Sequence, residues 1–200
     1  MSSSSTALSE ESVVRAILES VEVKTELAKR QGSIIVQVAG LLVGTFRHGG
    51  KVVFFGNGGS AADAQHVAGE LVGRFLMKRE ALPAIALTTD TSILTSIGND
   101  VSFDDVFARQ VHALVQPGDV AVGISTSGTS INVLNGLIAA RQRRGTTVGF
   151  TGRSGGKLRD VADHVLCVPS DSTPRIQEAH ITAWHAICEV VERELFGRGA

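Results

Sequence analysis

The run Val52-Val53-Phe54-Phe55-Gly56-Asn57-Gly58-Gly59-Ser60-Ala61-Ala62-Asp63-Ala64-Gln65-His66-Val67-Ala68-Gly69-Glu70 decides how this chain is read. Its first four residues form an apolar run of the kind found in buried parallel strands, and the stretch from Ala61 onward has the character of a helix. Between them, glycines at 56, 58 and 59 let the backbone bend sharply and come close to a ligand. The helix start offers unpaired amides and the positive end of a dipole, so a phosphate is the natural guest. Gly56-x-Gly58-x-x-Ala61 also fits the dinucleotide fingerprint, and most glycine turns in α/β proteins are plain connections, so this spacing alone is a weak signal. His66 and Glu70, four apart, share one helix face, which suits a shared metal or substrate as well as it suits an ordinary exposed pair.

Outward from this stretch, 200 residues with a formal net charge of −1 indicate one domain with enough length to bury a core. The balance gives no electrostatic case for nucleic acid or an anionic membrane. No apolar run reaches membrane-spanning length, and the Ser-rich start lacks the basic and apolar regions of a signal peptide, so a cytoplasmic protein is expected. Cys167 and Cys188 lie among apolar neighbours without metal-ligand spacing, and no disulfide is expected.

Residues 1–8 read as a disordered terminus, and Ser9 before Glu10 and Glu11 reads as a helix N-cap. Residues 9–50 are expected to hold two helices used in packing and oligomerisation. The first runs to about Gln31 with Val13, Val14, Ile17, Leu18 and Val21 on one face. The second, from Ser33, is apolar on nearly every side and is therefore expected to be buried all round until Gly49-Gly50 ends it. Residues 51–198 alternate strand and helix, with strands near 52–55, 84–88, 119–124, 147–151 and 164–168. This predicts an α/β fold with a doubly wound, five-stranded parallel sheet of flavodoxin-like order, second strand, first, third, fourth, fifth. The loops after Phe55 and Ile124 then face each other across one cleft at the carboxyl ends of the strands.

The second of those loops is Ser125-Thr126-Ser127-Gly128-Thr129-Ser130, ahead of a helix from Ile131. One or two hydroxyls would suffice as N-caps, whereas so many beside a glycine suit a phosphate. No Gly-Lys-Ser/Thr follows, which argues against a nucleoside triphosphate. Gly98-Asn99-Asp100 reads as a turn on spacing alone. The segment from Ser172-Thr173-Pro174 opens a last helix to about Phe196, carrying Gln177, His180 and His185. A helical histidine on a partly apolar face is more often structural than a ligand, and Trp184 reads as packing. His112 and His164 have no partner evident from the sequence.

Taken together, Gly56-Asn57-Gly58-Gly59-Ser60-Ala61, His66 with Glu70, Gly73-Arg74, Gly98-Asn99-Asp100, Ser125 to Ser130 and Arg175-Ile176-Gln177-Glu178 with His185 resemble the bacterial phosphoheptose isomerases of the sugar isomerase (SIS) superfamily, over nearly the whole chain. The resemblance implies isomerisation of sedoheptulose 7-phosphate to D-glycero-D-manno-heptose 7-phosphate on the way to ADP- or GDP-heptose for surface glycans. It also implies cytoplasmic homotetramers with sites between subunits and one zinc per subunit. By the same resemblance His66, Glu70, Gln177 and His185 are the metal ligands, and Glu70 and His185 the acid/base pair. Asn57, Gly58, Gly59, Ser60, Glu70, Arg74, Asn99, Asp100, Ser125, Thr126, Ser127, Ser130 and Gln177 match substrate-binding positions. A superfamily relative that binds the replication initiator lacks the carboxylate and imidazole retained here at Glu70 and His185, and an isomerase of another sugar phosphate would share the fold. Gln177 and His185, eight apart, differ by about 12 Å of rise and about 80° of rotation on a regular helix. One metal is then expected to draw them from different subunits, unless Gln177 lies outside the regular helix.

Overall fold

The computed structural model describes residues 9–197; the terminus of residues 1–8, expected from the sequence to be disordered, lies outside them. Five short strands, β1 (Val52–Gly56), β2 (Ala84–Ala86), β3 (Val120–Ile124), β4 (Thr146–Thr151) and β5 (His164–Cys167), pair in parallel in the order β2-β1-β3-β4-β5. Every residue of β1 and β3 is buried because helices cover both faces of the sheet, which is why these strands read as unbroken apolar runs rather than alternating ones. Gly56 pairs with Ile124, so the chain leaves β1 and β3 at the same level of the sheet. β2 stops short of the expected residue 88. Leu87 N–H still donates to Phe54 O at 2.8 Å, but the Thr88 hydroxyl then donates to Ala61 O and the chain turns away.

Alternation sends consecutive strand residues to opposite faces. Phe54, Ile124 and Phe150 pack under α1 (Glu10–Arg47), α2 (Gly59–Val72) and α7 (Thr173–Phe196). Trp184 of α7 lies fully buried in that layer, stacked 4.6 Å from Phe150 and edge-on to Phe54 at 5.2 Å. Phe55, Leu87 and Ala121 pack on the other face against α3 (Thr91–Asp100), α4 (Val106–Leu114), α5 (Ile131–Gln142) and α6 (Leu158–Val161). A 3-10 turn, Phe103–Asp105, joins α3 to α4.

Two expectations for residues 9–50 are corrected. The anticipated pair of helices is the single 38-residue α1, which passes through Gln31-Gly32-Ser33 without a break. A lone glycine costs a helix interior about 1 kcal/mol, too little to stop one that packs against α7 on both sides of it. Nor is its second half buried all round: Val38, Ala39, Leu42 and Val43 are buried, whereas Val36 faces solvent. The amino-terminal stripe of Val13, Val14, Ile17, Leu18 and Val21 is exposed in the single chain. The helix ends at Arg47, just ahead of Gly49-Gly50 as expected, with Gly49 at φ of 77°. Asn99 and Asp100 form the last turn of α3 rather than a free turn, because the Asp90 side chain caps that helix by accepting from Ile93 N–H at 2.9 Å. Both cysteines are free thiols, and burial pushes Cys188 up to about 12. Among the described residues no helix is long and apolar enough to cross a membrane.

Candidate active site

The two loops predicted to face each other do so, and each opens a helix whose start carries no side-chain cap. After β1, Gly58 adopts φ of 55°, which a side chain would resist, and Ser60 N–H donates to Asn57 O at 3.0 Å to close the turn into α2. After β3 the hydroxyls bond one another. Ser125 Oγ lies 2.9 Å from Ser130 Oγ and 3.5 Å from Ser127 Oγ, and Ser127 Oγ lies 2.9 Å from Thr129 Oγ1. Ser130 occupies the N-cap position of α5 yet caps nothing, so amides of the first turn remain for an anion. The loop is braced from behind by the segment after β4: Gly152 N–H donates to Thr126 O and Leu158 N–H to Gly128 O, each at 3.0 Å. Gly128, at φ of 68°, lies so close to Gly155 that a β-carbon would overlap its carbonyl.

One link between the two loops escaped the sequence. Asn57 Nδ2 donates to Asn132 Oδ1 at 2.8 Å, and Asn132 Nδ2 donates back to Asn57 Oδ1 at 3.0 Å. Gln177 lies within the regular part of α7, with its amide packed against Gly59.

A second group forms further along α2. His66 Nε2 lies 3.0 Å from His185 Nε2 and 3.2 Å from Glu70 Oε1, and all three donors fall within 4.8 Å of one another. Two imidazoles and a carboxylate at these separations fit a tetrahedral ion bonded at about 2.0 to 2.2 Å, the donor set and geometry zinc takes. Gln177 of the same chain is not part of this group, since Gly59, against which it packs, lies about 10 Å of axial rise from His66. Gln177 does not lie outside the regular helix.

The walls of this group were also invisible in the sequence. The Phe75 ring stacks on the His185 imidazole at 5.3 Å. Phe75 is held by Glu192, whose buried carboxylate accepts from the N–H groups of Phe75, Leu76 and Met77, all at 2.8 Å. Arg79 pairs with Glu192 at 2.8 Å and donates to the carbonyls of Glu70 and Leu71 at the end of α2. These donors hold the Glu192 carboxyl below its usual range in spite of burial, which acts the other way and more strongly than any one of them. The one sequence signal was a glutamate on the apolar side of a helix. Asp63, between the two groups on α2, has a buried Oδ2 with no hydrogen-bond partner, and desolvation pushes it up to about 6 against the pull of His66.

Arg74, Asn99 and Asp100 remain exposed, Asn99 Nδ2 donating to Asp100 Oδ1 at 2.7 Å. His180 is structural: fully buried, with its Nε2 3.2 Å from Thr151 O.

This sheet order with anion-ready loops after β1 and β3 is the architecture of the SIS domain, and the family model described as "SIS domain" matches residues 11–152. Proteins named phosphoheptose isomerase align along almost the whole chain. That of Roseiflexus sp. (strain RS-1) is 57% identical over 184 residues, covering 92% of this chain and 93% of its own. That of Aquifex aeolicus (strain VF5) is 56% identical over 182 residues, covering 91% and 95%. The solved structure of the phosphoheptose isomerase from Neisseria gonorrhoeae matches with a TM-score of 0.87 at 46% identity, covering 92% of this chain and 98% of that one. Within the SIS class, this chain belongs to the phosphoheptose isomerase family and is an aldose–ketose isomerase.

Proposed function

We propose that the chain converts sedoheptulose 7-phosphate to D-glycero-D-manno-heptose 7-phosphate, in a site composed from more than one copy. The observation that carries this reading is the length of α2 between the two groups. Gly59, in the glycine turn that faces the phosphate cradle, and Glu70 are eleven residues apart, about 16 Å of axial rise, more than a heptose spans between its carbonyl and its phosphate. A chain's own Glu70 and His185 therefore serve the cradle of a neighbour, and the exposed apolar stripe of α1 supplies a surface for joining copies. The assembly is a homotetramer in this reading.

In the composite site the substrate phosphate rests on the hydroxyls of Ser125, Thr126, Ser127 and Ser130 and the amides of α5. Asn57, Gly58, Gly59, Ser60, Arg74, Asn99, Asp100 and Gln177 line the sugar. Glu70 takes the proton from C1 of the ketose and returns it to C2 of the enediol, while His185 relays the hydroxyl proton from O1 to O2. His66, Glu70 and His185, with Gln177 from another copy, would hold a zinc ion, whose chemistry when bound is to polarise the carbonyl. The reaction belongs in the cytoplasm, feeding nucleotide-activated heptose for surface glycans.

The test offers the purified protein sedoheptulose 7-phosphate beside pentose and hexose phosphates, with and without a chelator. Conversion of the heptulose alone is expected; turnover of a pentose or hexose phosphate in its place would overturn the substrate assignment.

A further inference from the structure

Asn132, the second residue of α5, is 3% exposed and is bonded through its side chain to Asn57, seventy-five residues away, by the reciprocal pair at 2.8 and 3.0 Å. It is not needed as a helix cap, since Ser130 holds the N-cap position. Its amide both donates to and accepts from the other loop. The two loops leave neighbouring strands at the same level, Gly56 beside Ile124, and their own backbone bonds close each turn separately. Among the described residues the amide pair is the side-chain hydrogen bond that ties the glycine turn to the start of α5.

The pairing also fixes how Asn57 is presented. A lone asparagine amide can exchange its oxygen and nitrogen by rotation about its last bond; here rotation of either amide alone breaks both bonds. A primary amide has two N–H donors and two acceptor lone pairs, so the pair leaves Asn57 one of each for a ligand.

We propose that Asn132 is a positioning residue of the sugar-phosphate site. It acts through Asn57, setting the orientation of that amide and the separation of the glycine turn from the phosphate cradle. The inference rests on the isomerase reading above and adds a residue to it. The Asn132 side chain touches no substrate in this account, so its removal loosens the hold on the sugar and leaves the cradle's hydroxyls, its bracing segment and the backbone amides of α5 in place.

The test is a double-mutant cycle of Asn57→Ala, Asn132→Ala and the combined variant, read as KM, kcat and the inhibition constant of inorganic phosphate. Asn132→Ala is expected to raise KM about tenfold with kcat within about threefold and phosphate inhibition within about twofold, and to add nothing in the Asn57→Ala background. Additive losses in the double variant would overturn the proposal, as would an unchanged KM. Weakening of phosphate in step with KM would do the same, because Asn132 would then be shaping α5 itself. If the alanine variant fails to fold, Asn132→Ser, whose side chain is tolerated in a first helical turn, takes its place in the cycle. A wild-type protein that turns over no sugar phosphate would instead overturn the functional reading, so the two failures are distinguishable.

Discussion

Glu70 and Ser127 separate chemistry from binding. In the proposed roles Glu70→Gln removes the proton carrier and leaves the hydroxyl loop, so turnover should fall by at least 10²-fold while phosphate still inhibits at its wild-type concentration. Near-normal turnover would remove Glu70 from its role. Ser127→Ala should do the reverse, raising KM with little change in kcat, and an unchanged KM would move the phosphate elsewhere. His180 gives a residue-scale prediction of another kind. Burial holds it at about 4, against 6.5 for the free side chain, and the bond to Thr151 O acts the other way. The folded value is the lower one, so the unfolded chain takes up the proton first as pH falls. Stability is complete above pH 6.5 and is lost on the way down to about 4, by about 3 kcal/mol from this group. Urea unfolding across that range should show a shallower loss in His180→Gln than in the wild type; equal slopes would refute the account. At this scale the sequence separated His185 from His180 only through the family resemblance, because both sit on α7 and the burial that distinguishes them depends on Phe150 and Thr151 of β4.

Between α2 and α7 the loop after Val72 is held by one buried ion pair. The Arg79 and Glu192 side chains are 1% and 2% exposed, and between them they bond three loop amides and two carbonyls of α2. Removing the carboxylate leaves a buried guanidinium without its counter-charge, which typically costs about 3–5 kcal/mol. Glu192→Ala should therefore lower the midpoint of thermal unfolding by several degrees and free Phe75 from His185, so that a titrated divalent metal binds more weakly even where the protein is folded. Unchanged metal affinity in the folded variant would show that the clamp serves stability alone. The pair joins residues more than a hundred positions apart, and its only local sign is a glutamate on the apolar side of α7. The five strands, by contrast, were legible because an apolar run bounded by glycine or polar turns is a local signal. The continuity of α1 was not, because the signal at Gly32 was local and the force that overrode it, packing on α7, was tertiary.

Across the whole molecule, the glycine turn and the His66-Glu70-His185 group stand at opposite ends of α2, and in the proposed reading only assembly brings a cradle to an acid/base pair. Ile17→Asp places a charge in the exposed stripe of α1. If the proposed tetramer forms, this change should convert it to smaller species by light scattering and lower activity in proportion, with activity recovering as protein concentration rises. An active monomer would sink the composite site. Strand order and the facing loops were readable from the alternation of elements, whereas the distance between the two groups required only the count of residues along one helix once its limits were known.

The seat of Trp184 gives this molecule an optical property. It is the single tryptophan, and the chain has no tyrosine, so its emission carries one address. That address is the seam between α7 and the sheet, where Phe150 and Phe54 shield the indole from water. Its fluorescence should be blue-shifted and should redden only when α7 lifts from the strands. Copies parting along the outer stripe of α1 would leave the colour untouched while light scattering falls. One sample watched in two ways would thus time the undoing of the assembly apart from the undoing of the fold.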